Sequence, residues 1–128
     1  MKKTILFFSL LIISLFTLSC SRDNDESDNT WVYGKWNVTH YSDTENGTYN
    51  DMTILGWYAQ FNSDGTYKSY SDSNYTGTYT VTGNTIKAKV GSETVVYNIL
   101  ERNGNNAKAK MYYESDPSDF VFFKIVKQ

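Results

Sequence analysis

The sequence predicts an all-β domain, an antiparallel up-and-down β-barrel of about eight to nine short strands. Three observations predict it. Apolar and polar residues alternate with a period of two, as in Ile86-Lys87-Ala88-Lys89-Val90 and Ala107-Lys108-Ala109-Lys110-Met111, which marks strands with one buried face. Clusters of Gly, Asn and Asp separate these stretches at short spacing, as the turns of consecutive hairpins do. No window carries a sustained apolar 3.6-residue period, and the chain from Trp31 on is rich in Thr, Tyr, Val and Ile with a single proline, Pro117. Consecutive hairpins without long crossovers form a meander, and closing it removes the exposed strand edges.

The first strand is expected around Gly34-Lys35-Trp36-Asn37-Val38-Thr39-His40, with Trp36, Val38 and His40 on one face. Thr30 to Tyr33 is read as a short turn before it. Ser42-Asp43-Thr44-Glu45-Asn46-Gly47 is a loop. A less regular second strand is expected over Tyr49 to Leu55, bent or bulged at Gly56, and a third over Trp57 to Phe61. Asn62-Ser63-Asp64-Gly65 is the sharpest turn signal in the chain: Asp-Gly between aromatic strands predicts a hairpin with Gly65 at positive φ. Strand four follows from Thr66 to Tyr70 and strand five from Gly77 to Val81, divided by Ser71-Asp72-Ser73-Asn74. Gly83-Asn84 turns into strand six, Thr85 to Val90, and Gly91-Ser92 into strand seven, Thr94 to Glu101. Asn103-Gly104-Asn105-Asn106 turns into strand eight, Ala107 to Tyr113, and Asp116-Pro117-Ser118-Asp119 leads to a last strand, Phe120 to Lys127.

The N-terminus reads as export machinery rather than fold. Met1-Lys2-Lys3 is a positive n-region, and Ile5 to Leu18 is apolar apart from Ser and Thr. Residues 1–19 are therefore expected to be a lipoprotein signal peptide, too short and wrongly flanked for a membrane span. Cys20, the only cysteine, follows Thr17-Leu18-Ser19, so no disulfide within the chain is available. Its position resembles a bacterial lipobox, with Thr17 where Leu is usual. The resemblance implies diacylglycerol and palmitate on Cys20, and outer-membrane lipid as the partner of the anchor. Residues 20–30 are expected to be an acidic disordered tether, since Ser21 to Asn29 is wholly polar with four carboxylates and one Arg. Such a stretch also resembles the export signal of surface lipoproteins. The expected location is the cell envelope of a Gram-negative bacterium, on the outer membrane.

Residues 31–128 form the expected domain. Of the chain's 12 basic and 14 acidic residues, nine basic and ten acidic fall here, so no basic face invites nucleic acid. His40 is the only histidine, and Cys20 lies outside the domain, so catalytic triads and zinc sites lack their residues. The carboxylates sit at turns, where backbone hydrogen bonding explains them. The expectation is a protein without enzymatic activity, cofactor or metal. What stands out is 11 Tyr among the aromatic residues. They serve strand packing, and Tyr also offers an apolar body with a polar tip to an amphipathic ligand.

With the strands placed, the chain resembles the bacterial lipocalin-like domains of small lipoproteins, calycin-type β-barrels. Gly34-Lys35-Trp36 is similar to the Gly-x-Trp of their first strand. Phe61-Asn62-Ser63-Asp64-Gly65-Thr66-Tyr67 is similar to their Phe-x-x-Asp-Gly-Thr-Tyr hairpin, and Gly77-Thr78-Tyr79 to their Gly-x-Tyr strand. The resemblance implies a barrel closed at one end by Trp36, often with an interior pocket for a small apolar or amphipathic molecule. The family's Arg that stacks on the Trp is replaced here, and Lys127 is the nearest substitute. Trp36, His40, Trp57, Phe61, Tyr79, Tyr97, Met111 and Phe123 are the residues expected to line the pocket. The alternative expectation is a barrel filled by side chains, serving as a protein- or glycan-interaction module.

Overall fold

The computed structural model describes residues 27–128. The expected signal peptide and Cys20 lie outside the described residues, as does the acidic stretch through Glu26. Ser27–Val32 is a 3-10 helix, beginning inside the stretch expected to be tether. The barrel unit is Val32–Gln128.

Nine strands follow: β1 Gly34–Ser42, β2 Asn50–Asp51, β3 Tyr58–Phe61, β4 Thr66–Tyr70, β5 Asn74–Thr82, β6 Thr85–Val90, β7 Glu93–Asn103, β8 Asn106–Tyr113 and β9 Asp116–Lys127. Each of β3 to β8 pairs antiparallel with the next, β1 pairs with β3, and β9 pairs back onto β1. That last pairing closes an eight-stranded barrel and leaves β2 as a short extra strand against the end of β1. The expected all-β, up-and-down barrel is the observed fold.

The turn chemistry explains the meander. At the first tight hairpin the Gly65 N–H donates to the Asn62 carbonyl, and Gly65 takes φ +90°, as predicted. The Asp64 carboxylate accepts from both the backbone N–H and the hydroxyl of Thr66, at 3.0 and 2.6 Å. These two bonds hold its pKa below the ordinary carboxylate value. Gly83, Gly91 and Gly104 take positive φ in the later turns, the conformation for which the clusters of turn residues were read.

Three local expectations differ from the fold. The second strand reaches only Asn50–Asp51; Thr53–Leu55 is a 3-10 turn instead. The Asp51 carboxylate accepts from the Thr53 N–H and hydroxyl at its start. Gly56, at φ +69°, ends it with its N–H on the Thr53 carbonyl. Local capping thus outcompetes the sheet ladder. β9 begins at Asp116 rather than Phe120, with Pro117 to Asp119 in the register jump between the pairs Tyr113–Asp116 and Tyr112–Phe120. A proline is tolerated there because no ladder donor is required of it. Finally, β1 carries a bulge: Val38 pairs with Ile125 but His40 pairs with Lys124. The extra residue, Thr39, breaks the alternation. His40 therefore shares the outward face of Lys124, not the inward face of Trp36 and Val38.

Candidate ligand-binding interior

Paired residues share a face, so the register defines the inner wall. One row runs Trp36, Ala59, Ser69, Tyr75; another runs Val81, Ile86, Tyr97, Met111, Val121. Phe61 and Tyr67 pair across the first hairpin, and Ala109 pairs with Phe123. Apart from Lys127, which pairs with Trp36, the lysines of the strands, Lys35, Lys68, Lys87, Lys89, Lys108, Lys110 and Lys124, occupy the opposite parity and form the outer wall.

One end is shut. Trp36 is 2% exposed, and its indole Nε1 donates to the Val32 carbonyl at 2.9 Å. Val32 is itself fully buried. The Lys127 ammonium lies over the Trp36 ring, 5.2 Å from its centroid, as the substitution at the end of the chain implied. This geometry explains the glycine of Gly-x-Trp. Gly34 has φ +131°, and a Cβ there would press on the Lys127 side chain at 2.9 Å.

The interior also holds an aromatic cluster. Phe61 meets Tyr67, Tyr79 and Tyr97 at centroid distances of 5.4, 5.1 and 6.0 Å, edge-on to the last two. The Tyr79 hydroxyl donates to the Asn62 carbonyl at 2.7 Å and so ties β5 to the first hairpin. The Tyr67 and Tyr97 hydroxyls share a hydrogen bond of 2.6 Å. Burial raises the pKa of both phenols, Tyr97 well above its ordinary value; for Tyr67 the hydrogen bonds of Ser69 and Tyr97 pull the other way. Both remain protonated at neutral pH.

Gly77 is the glycine of Gly-x-Tyr, and its reason is contact rather than φ. A Cβ at that position would run into the backbone carbonyl of Lys89, so β5 and β6 approach there only without a side chain.

Toward the other end the interior is apolar. Val38, Met52 and Phe123 form a buried cluster, and Trp57, Met111, Val121 and Ile125 pack on it half-buried. Inward-facing residues differ in exposure, and Ala88 is buried along with Val38, Met52 and Phe123. Trp36, Phe61, Tyr67 and Ile86 are buried; Ser69, Val95, Tyr97, Met111 and Val121 keep accessible surface; Tyr75 and Tyr113 are exposed. Small inward residues, Ala59, Ser69, Gly77 and Ala88, line β3 to β6. The connections at this end carry Asp43, Glu45, Asp72 and Glu114, with Glu93 and Asp116 at the adjoining strand ends, and no Lys or Arg. Glu114 is engaged by Lys87 from the outer wall at 2.8 Å.

Of the residues expected to line the pocket, the fold gathers Phe61, Tyr79 and Tyr97 in the aromatic cluster. It places Trp57, Met111 and Phe123 in the apolar layer. Trp36 is buried at the closed end, and His40 is outside. Tyr67, Ser69 and Met52 join the interior without having been singled out. The hairpin register was the available signal for Tyr67, since it places Tyr67 opposite Phe61. Met52 had none, because its burial follows from the 3-10 turn and from its N–H bond to the Thr39 carbonyl.

Comparison with known proteins agrees with this architecture. A crystal structure of an uncharacterized protein from Bacteroides eggerthii DSM 20697 superposes with a TM-score of 0.53 at 11% identity, covering 76% of this chain and 99% of that one. At that identity the likeness is one of fold. No curated protein matches the chain. The family described as the lipocalin-like domain matches residues 32–120, from the Val32 that receives the Trp36 indole to the start of the closing strand, and the chain belongs to that family.

Proposed function

We propose that this protein is a lipid-anchored, non-enzymatic binding protein of the cell envelope that holds a small apolar or amphipathic molecule inside its barrel. The lipocalin-like fold is associated with ligand binding in general. The observation that carries the reading here is the uneven burial of the inner wall. Trp36 and Val32 are buried at one end, while Met111, Val121, Trp57 and Tyr97 keep accessible surface. An eight-stranded barrel is just wide enough for one such molecule. The test is titration with N-phenyl-1-naphthylamine, an uncharged fluorophore that brightens in apolar surroundings. Saturable binding with one site per barrel supports the reading, and no enhancement above that of unfolded protein opposes it.

The anchor is proposed from Cys20, at the end of an apolar leader and before a polar stretch. Cys20→Ala is expected to release the protein from outer-membrane fractions without lowering its melting temperature. Continued fractionation with membranes would exclude acylation as the anchor. A second reading, an interaction module, draws on one feature: Ile54 is 93% exposed beside the half-exposed Leu55 in the 3-10 turn. Ile54→Ser leaves fluorophore binding unchanged if the interior is the site.

A further inference from the structure

The interior carries a polar device that neither strand packing nor barrel closure requires. Tyr67 and Tyr97 lie 30 residues apart and meet hydroxyl to hydroxyl at 2.6 Å, with the Phe61 ring against both and Ile86 and Met111 flanking Tyr97. Ser69 is the next inward position on β4 toward the mouth. Two hydroxyls joined by one hydrogen bond use one of their two protons between themselves. One proton remains, along with lone pairs. An acceptor entering the barrel would complete the pair's hydrogen bonding.

The same wall carries no charge that would match an anion. Among the described residues, the cations at inward positions are Lys127, over the Trp36 ring, and Arg102, exposed at the same closed end. At the mouth stand Asp43, Glu45, Asp72, Glu93 and Asp116, all exposed. Their field disfavours the approach of an anion, and burying a carboxylate among apolar side chains without a cation is costly.

We propose that the barrel selects an uncharged amphiphile whose ester, amide, ketone or alcohol oxygen accepts a hydrogen bond from the Tyr67–Tyr97 hydroxyl pair, with its apolar tail toward Met111, Val121 and the mouth. This rests on the reading of the barrel as a small-molecule binder and specifies the class of molecule. The hydroxyls fix the depth and orientation of the head, while the apolar layer supplies area. The acidic rim rejects fatty-acid-like anions of the same length.

Displacement of N-phenyl-1-naphthylamine tests the proposal. The competitors are methyl decanoate, 1-decanol and sodium decanoate, at a pH where the last is ionised. Methyl decanoate and decanol are expected to displace the fluorophore about tenfold more effectively than decanoate, with the gap narrowing as salt screens the rim. The Tyr67→Phe/Tyr97→Phe variant removes both partners and keeps both ring shapes, so it is expected to stay folded, and each competitor's affinity is referred to the fluorophore affinity measured on the variant itself. The variant should lose about fivefold to tenfold of its affinity for methyl decanoate. Decanoate matching or exceeding the ester in the wild type overturns the proposal even if the variant does not fold. So does a folded variant with unchanged affinity for the ester. Failure of the fluorophore to bind the wild type, with no competitor retained, overturns the binding reading itself. Fluorophore binding without head-group selectivity overturns this inference alone.

Discussion

Replacing Trp36 by Ala is the most informative perturbation of the scaffold. The ring is 2% exposed, donates from Nε1 to the Val32 carbonyl at 2.9 Å, and supports the Lys127 ammonium at 5.2 Å. Truncating a buried Trp to Ala costs about 3–5 kcal/mol through lost burial and the cavity left behind. For a unit the size of Val32–Gln128, each kcal/mol lowers the melting temperature by about 4–8 °C, so the expected shift is roughly 12–40 °C. Trp36→Phe separates the contributions. It keeps much of the apolar ring and removes the donor, leaving the buried Val32 carbonyl without it, at a cost of about 1–3 kcal/mol. The assay is urea unfolding followed by far-ultraviolet circular dichroism, which reads the barrel rather than the remaining tryptophans. A Trp36→Ala protein within about 1 kcal/mol of wild type would mean that the ring does not close the barrel. The floor assigned to the interior would then be wrong.

Gly77→Ala is expected to destabilise by about 1–3 kcal/mol in the same assay, because its Cβ must displace the Lys89 carbonyl. Gly77→Asn should be no better. Gly65 contrasts with it: nothing stands near its Cβ position, so only φ +90° is at issue. Gly65→Val is expected to cost about 1–2 kcal/mol and Gly65→Asn less, since Asn tolerates that region; equal stability of all three proteins would contradict the hairpin. Asp64, with a folded-state pKa below its unfolded one, contributes stability that is present above the ordinary carboxylate pKa. That contribution is lost as pH falls through the lowered value. Asp64→Asn should therefore flatten the acid limb of the stability curve below pH about 4 while leaving its neutral shape unchanged.

The fold was legible because its signals are local. β4 and β6 lie where alternation placed them, Thr66–Tyr70 and Thr85–Val90, each bounded by a Gly turn. β5 extends to Asn74 although Asn74, Tyr75 and Thr76 show no apolar alternation. Their backbones pair with Tyr70, Ser69 and Lys68 whatever their side chains. The bulge at Thr39 left no trace, since Thr, His and Tyr suit either face of a strand. It is the sole reason His40 was assigned inward. The second strand was misread because Asp51 and Gly56 form a local cap with no hydrophobic period to mark it. For the interior, parity sufficed to place Phe61, Tyr79, Tyr97 and Met111. The Tyr67–Tyr97 contact lies beyond any parity argument. β4 and β7 are not neighbours in the sheet, and their meeting depends on how the closed barrel staggers its strands.

The central claim is that the barrel interior receives one small molecule, and native mass spectrometry of the protein purified from its own cells tests it most directly. The account predicts a one-to-one, non-covalent adduct of an uncharged amphiphile that disappears on denaturation. If the native protein carries no molecule, the adduct is expected to form on adding methyl decanoate and to weaken in the Tyr67→Phe/Tyr97→Phe variant. A spectrum that shows only the bare polypeptide under both conditions, from protein whose circular dichroism is that of the folded barrel, would contradict it.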